Sequence, residues 1–88
     1  GIGYSKTIII ISEKEAEVRE AILTKLDRGV TKLTAHGGYT LNEKPVLMCV
    51  VNQQEFTKLK QVVRSIDASA FVVVMNASEV LGEGFKRE

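Results

Sequence analysis

Few side chains in this sequence of 88 residues are of the types that carry out catalysis or bind metals. His36 is the only histidine and Cys49 the only cysteine, so a Ser-His-Asp triad would have to use His36, and a Cys/His metal cluster cannot form. The Gly-x-Ser-x-Gly turn of serine hydrolases and the glycine-rich loops that bind phosphates or dinucleotides are also absent. We therefore expect no enzyme activity, no cofactor and no metal site.

Two glycine-rich segments are the candidate ligand-binding residues. In the first, Gly37 and Gly38 relieve steric limits where the backbone bends, Tyr39 offers an aromatic face and Thr40 a hydroxyl. A small planar ligand could stack there. The second segment has backbone amides that could face an anion. It consists of Gly82, Glu83, Gly84 and Phe85. Plainer interpretations, a glycine bulge at a hairpin for the first segment and a chain reversal for the second, stay open.

The charge balance argues against some classes of partner. Twelve basic and eleven acidic residues give a formal charge of +1, with no long run of either sign. We expect no bulk electrostatic attraction to nucleic acid or to an anionic membrane. The aromatic pattern by which ferredoxin-like sheets bind RNA is missing as well. Cys49 lies in the apolar run 46–51, which predicts an inert core thiol and fits a reducing compartment.

The first half of the sequence predicts a strand, a helix and a weak strand. The run 4–11 is rich in β-branched residues and is followed by apolar residues at helical spacing. Ser12 and Glu15 have the spacing of a capping box that would begin the helix, and Gly29 would end it in the left-handed conformation. The weakly alternating segment 30–40 predicts an edge strand that two glycines interrupt.

The second half predicts a strand, a helix and a strand. The run 46–51, after Pro45, is apolar at every position, as in a central strand that is covered on both faces. Asn52 and Glu55 repeat the capping box and begin an amphipathic helix. A turn at 67–69 leads into the fourth strand at 70–75, and 79–88 is a polar, glycine-rich tail.

The order βαββαβ predicts an α+β, ferredoxin-like fold, in which an antiparallel sheet has both helices on one face. We expect residues 1–88 to form one soluble domain. The chain begins at Gly1 without a methionine, so we expect it to be part of a longer parent. The strands are too apolar for a sheet face left in water, and we expect another copy, the tail, or both to cover it. The candidate interface residues are Ile8, Ile10, Val72 and Val74.

Five motifs in order resemble the C-terminal domain of unknown function of YitT-type bacterial membrane proteins. They are Arg28-Gly29-Val30-Thr31, Gly37-Gly38-Tyr39-Thr40, Ile66-Asp67, Ala70-Phe71 and the closing motif from Glu79 to Phe85. The resemblance implies a parent in the bacterial cell membrane, with a bundle of membrane helices before this module and the module on the cytoplasmic side. It implies no catalytic residues. The fold also looks similar to PII-type and ACT regulatory domains, which bind metabolites or nucleotides at subunit interfaces.

Two functions are consistent with these observations. In the first, the domain is a non-enzymatic sensor whose segments 37–40 and 82–85 bind a small ligand between subunits of a homo-oligomer, a dimer or a trimer, and bias the membrane-spanning part of the parent chain. In the second, it is an assembly module that holds copies of the parent together through its sheet and binds no ligand. Nucleic acid is not an expected partner of either.

Overall fold

The computed structural model describes residues 5–82, and these residues form the predicted ferredoxin-like fold. Its four strands make one antiparallel sheet in the order β2-β3-β1-β4. The elements along the chain are β1 (Ser5–Ile11), α1 (Glu15–Lys25), β2 (Thr31–His36), β3 (Glu43–Val51), α2 (Gln53–Ile66) and β4 (Phe71–Ala77). The strands β1 and β3, which come from two of the most apolar runs, are central, and β2, which carries Lys32, is an edge strand as predicted.

The two helices begin differently. At α2 the predicted capping box is confirmed, because Asn52 Oδ1 accepts the amide of Glu55 at 2.8 Å and the Glu55 carboxylate accepts the amide of Asn52 at 2.8 Å. At α1 the predicted box is wrong: the helix begins at Glu15, after Lys14, with no side-chain cap. The Glu15 carboxylate instead lies 2.8 Å from Arg19 and 3.6 Å from Lys32, so it is not available to cap the helix.

The end of α1 also differs from the prediction. Asp27, and not Gly29, takes the left-handed conformation, with φ of 51°. The turn is held by the amides of Leu26 and Arg28, which both donate to the carbonyl of Ile22. An aspartate tolerates this conformation better than most side chains, so a glycine is not needed at this position.

The core lies between the helices and one face of the sheet. Ile8 and Ile10 are 0% and 1% exposed and pack in one cluster with apolar residues of both helices and of β3. Residues directly opposite in an antiparallel sheet point to the same face. Ile8 pairs with Val74 and Ile10 with Val72, so all four predicted interface residues point toward the helices. Their assignment to the uncovered face is therefore wrong by one residue of register.

The open sheet face, which no helix covers, carries the alternate residues of each strand. It is apolar, as predicted, and Phe71 is 64%, Met75 46% and Leu33 40% exposed. The register gives its members as Leu33, Val46, Met48, Val50, Ile9, Ile11, Phe71, Val73 and Met75. The strands thus have apolar side chains on both faces.

Candidate functional site

The segment Gly37-Gly38-Tyr39-Thr40 forms most of the loop between β2 and β3. The loop is closed by hydrogen bonds from the amide of Gly37 to the carbonyl of Asn42 and from the amide of Leu41 to the carbonyl of Gly37, both 2.9 Å. Thr40 Oγ1 accepts the amide of Asn42 at 3.1 Å. A Cβ on Gly37 would lie 3.1 Å from this oxygen, so a side chain there would have to displace the Thr40 hydroxyl by a few tenths of an ångström. The segment therefore lies in the loop of a hairpin, as the plainer interpretation predicts, but Tyr39 in it is exposed and does not pack on a neighbouring residue.

The tip of this hairpin projects two apolar side chains into solvent. Tyr39 is 99% and Leu41 72% exposed, and Leu41 has φ of 62°, a conformation that costs a leucine about 1–2 kcal/mol. Such strain is retained where the surrounding hydrogen bonds determine the backbone. Gly38 faces open space.

A groove of about 440 Å³ lies at this end of the molecule. β3 and its hairpin extend beyond the ends of β1 and β4, because Ile10 pairs with Leu47 and Ile11 with Phe71, while β3 begins at Glu43. The overhang forms one wall, and the turns that follow β1 and α2 form the other. The groove is lined by Ile11, Ser12, Glu13, Thr40, Asn42, Glu43, Lys44, Pro45, Asp67, Ser69 and Phe71.

A short hydrogen bond joins the two turns of the second wall. The buried hydroxyl of Ser12 donates to Asp67 Oδ2 at 2.6 Å and accepts the amide of Lys14 at 2.9 Å. The amide of Ser69 donates to Asp67 Oδ1 at 2.9 Å. These bonds, that of Ser12 first, lower the pKa of Asp67 below 3.8. Asp67 is therefore a carboxylate at neutral pH and fixes the geometry of the groove.

The groove offers donors and acceptors on a partly apolar floor. Ile11, Pro45 and Phe71 supply the apolar surface, and Lys44 supplies a cation beside the carboxylates. This mixture suits a small molecule with a flat apolar part and a charged or polar edge. Ser12 and Asp67, which the sequence offered only as a capping residue and as part of a motif, were not predicted as site residues, since their closeness depends on a tertiary contact between residues that are 55 positions apart.

The structure describes the position of only part of the predicted ligand-binding set. Thr40 lines the groove, while Gly37, Gly38 and Tyr39 lie in the loop beside it. Gly82 has φ of 110°, which fits a chain reversal. Glu83, Gly84 and Phe85 lie outside the described residues.

Gly82 and the hairpin loop 37–40 lie at opposite ends of the sheet. Gly82 follows Ala77, which pairs with Ser5, whereas the hairpin lies beyond the Ile11 end of β1. At about 3.3 Å per residue, the length of β1 and the overhang of β3 separate them by about 30 Å. Residues 78–82 can span at most about 18 Å. Within one chain, Gly82 therefore cannot reach the hairpin loop.

The remaining chemistry of the described chain is sparse. The thiol of Cys49 is buried, and burial raises its pKa to about 12, so it is held as an unreactive thiol. No group of three metal-binding side chains occurs among residues 5–82. Within the same residues, neither helix has the length and apolar character needed to cross a membrane.

The family model described as "Uncharacterized protein conserved in bacteria (DUF2179)" matches residues 28–82. The chain is 63% identical over 87 residues to the UPF0750 membrane protein YvjA of Bacillus subtilis, and 30% identical over 76 residues to YitT of the same organism. These matches cover 99% and 86% of this chain but 31% and 27% of those proteins. The chain thus spans about a third of the length of these relatives.

Two solved structures resemble the fold. The DUF2179 protein of Eubacterium ventriosum is 34% identical and has a TM-score of 0.73, with 81% of this chain and 97% of that chain covered. CPII of Thiomonas intermedia, solved with ADP, AMP and acetate, is 15% identical and has a TM-score of 0.57, with 86% and 89% covered. The second likeness concerns the fold alone.

Proposed function

Because the chain belongs to the bacterial DUF2179 family, whose relatives include UPF0750 membrane proteins, we propose that it is a regulatory domain that binds a small ligand between copies of itself. The family predicted from the sequence motifs is confirmed. The parent chain is a membrane protein of this kind, and the domain acts on its membrane-spanning part without catalysing a reaction.

The groove at the hairpin end is the observation that carries this proposal. It collects side chains from three separate segments of the chain, and the bond between Ser12 and Asp67 holds two of these segments together. A preformed groove with an apolar floor and a few polar groups is what a small-molecule site requires. CPII, which shares the fold, was solved with ADP, AMP and acetate, and this favours a small molecule with a flat ring, such as a nucleotide base, as the ligand here. Glu13, Glu43 and Asp67 outnumber Lys44 in the groove and disfavour a simple anion.

A second copy completes the site in this proposal. The loop 37–40 and Gly82 cannot meet within one chain, but Gly82 of one copy can lie beside the hairpin of another. This arrangement retains residues 82–85 as ligand-binding candidates and makes the domain a dimer or a trimer. If the copies have two alternative arrangements, a ligand that binds between them favours the arrangement to which it binds more tightly.

We place the domain on the cytoplasmic side of the membrane, as the resemblance to YitT-type proteins implies. The free and buried thiol of Cys49 supports this placement, since unpaired cysteines are typical of reducing compartments. The exposed Tyr39 can be replaced by cysteine in the parent protein. In whole cells, a membrane-impermeant maleimide should label this cysteine only after the membrane has been permeabilised. Labelling of intact cells would contradict the cytoplasmic assignment.

A ligand screen tests the proposed function. Thermal unfolding of the chain with nucleotides, amino acids and small carboxylates should give a hit, because a ligand at a hundred times its Kd stabilises the folded state by about 2.7 kcal/mol. Binding should fall at least tenfold in Lys44→Ala and in Thr40→Val, which change the groove. Lys25→Ala, on α1, is the matched control. If the Lys44→Ala and Thr40→Val variants bound the ligand as tightly as the unchanged chain does, this site would be refuted.

The exposed apolar surface of the open sheet face favours a second candidate function, an assembly module without a ligand. Phe71 and Met75 would be covered by another copy. Under this alternative, Phe71→Asp should disperse the oligomer, while Tyr39→Ala and Lys44→Ala should leave the parent protein fully functional. Loss of parent function in Lys44→Ala with the oligomer intact would rule the alternative out.

A further inference from the structure

A second surface, on the flank of α2 beside β4, combines a shallow apolar groove with basic side chains. The groove has a volume of about 210 Å³, and Phe56, Val72 and Val74 form much of its floor. Lys60 Nζ lies 4.8 Å and Lys6 Nζ 5.9 Å from the centre of the Phe56 ring. We call this surface, with Arg64 at its other end, the α2 flank.

The α2 flank is electropositive although the whole chain is nearly neutral. Among the described residues, no carboxylate lines the groove, and β4 has no charged side chain. The nearest acid along the helix, Glu55, accepts the amide of its own N-cap and faces Arg28 at 3.9 Å. Acidic side chains are concentrated instead on and before α1, at Glu13, Glu15, Glu17 and Glu20.

The cations are held in place by the fold. Lys6 donates to Asn76 Oδ1 at 3.0 Å, and Arg64 donates to the carbonyls of Ala68 and Ala70 at 2.7 and 3.2 Å. None of these partners is charged, so the hydrogen bonds position Lys6 and Arg64 without neutralising them, and Lys60 lies over the Phe56 ring. Preorganised cations on an apolar floor match a surface that presents anionic groups above apolar material.

We propose that the α2 flank docks on the anionic lipid surface of the membrane to which the parent protein belongs. Two observations favour lipid over other anionic partners. The relatives of this chain are membrane proteins of which the domain is a part, so a membrane surface is always near. In addition, β1 begins at Ser5, next to Lys6, so the chain enters the domain beside this flank.

Weak affinity is sufficient for such docking. Each basic residue near an anionic bilayer improves partitioning about fivefold at physiological salt. Three residues therefore favour anionic over neutral lipid on the order of 100-fold. The membrane part of the parent raises the effective concentration of the domain at the surface. The docked state is therefore populated even when the contact is weak. The docking does not depend on the small-ligand site.

Vesicle sedimentation tests the proposal. The chain is mixed with phosphatidylcholine vesicles, with or without about 30% phosphatidylglycerol, at about 0.1 M and 0.5 M salt. We expect binding to the anionic vesicles that high salt abolishes. The double variant Lys6→Gln/Lys60→Gln should bind about 25-fold more weakly. Circular dichroism should show the same fold and melting temperature for this variant within a few degrees.

The matched control is Lys25→Gln/Lys58→Gln, which removes two positive charges elsewhere. Lys58 lies two residues from Lys60 and therefore on the other flank of α2. This variant should lose less than threefold. Equal binding to neutral and anionic vesicles, or an equal loss in both double variants, would overturn the proposal. The proposal would also be overturned if the chain did not bind vesicles and instead bound an acidic amphipathic peptide through the same two lysines.

Discussion

The two faces of the sheet should respond differently to the same truncation at neighbouring positions of β1. Ile8 is fully buried against the helices, whereas Ile9, one residue on, lies on the open sheet face and is half-buried. We expect Ile8→Ala to weaken folding at every protein concentration. Ile9→Ala should weaken it mainly where copies associate, because only a second copy buries the rest of its side chain.

The magnitudes follow from burial. Removing the side chain of a fully buried isoleucine costs about 2–5 kcal/mol, which includes the cavity that is left behind. A domain of this length has a total stability of about 4–13 kcal/mol, so Ile8→Ala brings it close to unfolding. Ile8→Val, with a cost of about 0.5–1.5 kcal/mol, provides a second point if the alanine variant does not fold. For Ile9, which is only partly buried in a single copy, we expect a smaller cost than at Ile8.

Urea unfolding at about 5 and 500 µM protein separates the effects, with sedimentation velocity as a check of association. For the unchanged chain, stability should rise with concentration, because unfolding is linked to dissociation. The cost of Ile9→Ala should grow by at least 1 kcal/mol between the two concentrations, while that of Ile8→Ala should stay constant. If both costs were independent of concentration and the chain sedimented as a monomer throughout, the open sheet face would not be an interface.

Three further effects follow from single contacts. Ser12→Ala should cost about 1–3 kcal/mol in urea unfolding, since it leaves the amide of Lys14 without its acceptor and removes the bond between the two turns, while Asp67 keeps the amide of Ser69; a cost below 0.5 kcal/mol would contradict this. The pKa of Asp67 is lowered, so its contribution to stability is complete above the unfolded value of 3.8 and is lost as the pH falls through the lower folded value. Unfolding measured from pH 6 to pH 2 should show a smaller loss in Ser12→Ala, and an equal loss would argue against the bond. The native thiol of Cys49, with its pKa raised to about 12, should react with a thiol reagent at pH 8 only as fast as the chain unfolds; rapid reaction in the folded state would refute its burial.

The order of elements was predictable because local signals and the fold agree. The apolar runs of β1 and β3, the stripe of α2 and the capping box at Asn52 each specify one element without reference to the rest of the chain. The absence of a capping box at the start of α1 could not be predicted in the same way. The Ser12 hydroxyl bonds to Asp67 and the Glu15 carboxylate to Lys32, and both partners are distant in sequence.

The faces of the strands could not be assigned from sequence for a related reason. Four consecutive isoleucines, 8–11, contain no alternation of apolar and polar residues, so a slip of one residue leaves the pattern unchanged. Only the pairing with β3 and β4 shows that Ile8 and Ile10 face the helices. The candidate ligand groove was found in part, since Thr40 was identified from its glycine-rich loop. Ser12 and Asp67 resemble ordinary turn residues.

Phe71 connects the two proposed activities of the sheet. Its side chain lines the ligand groove, and it also belongs to the open sheet face that we expect a second copy to cover. A ligand that contacts this ring therefore acts on a residue of the interface. Any change in self-association caused by the ligand must be matched by an equal effect of association on ligand affinity. Phe71→Leu, which keeps an apolar side chain but removes the ring, should weaken this coupling more than it weakens either binding event alone. If ligand binding and self-association of the unchanged chain did not affect each other, the groove and the interface would not be coupled through Phe71.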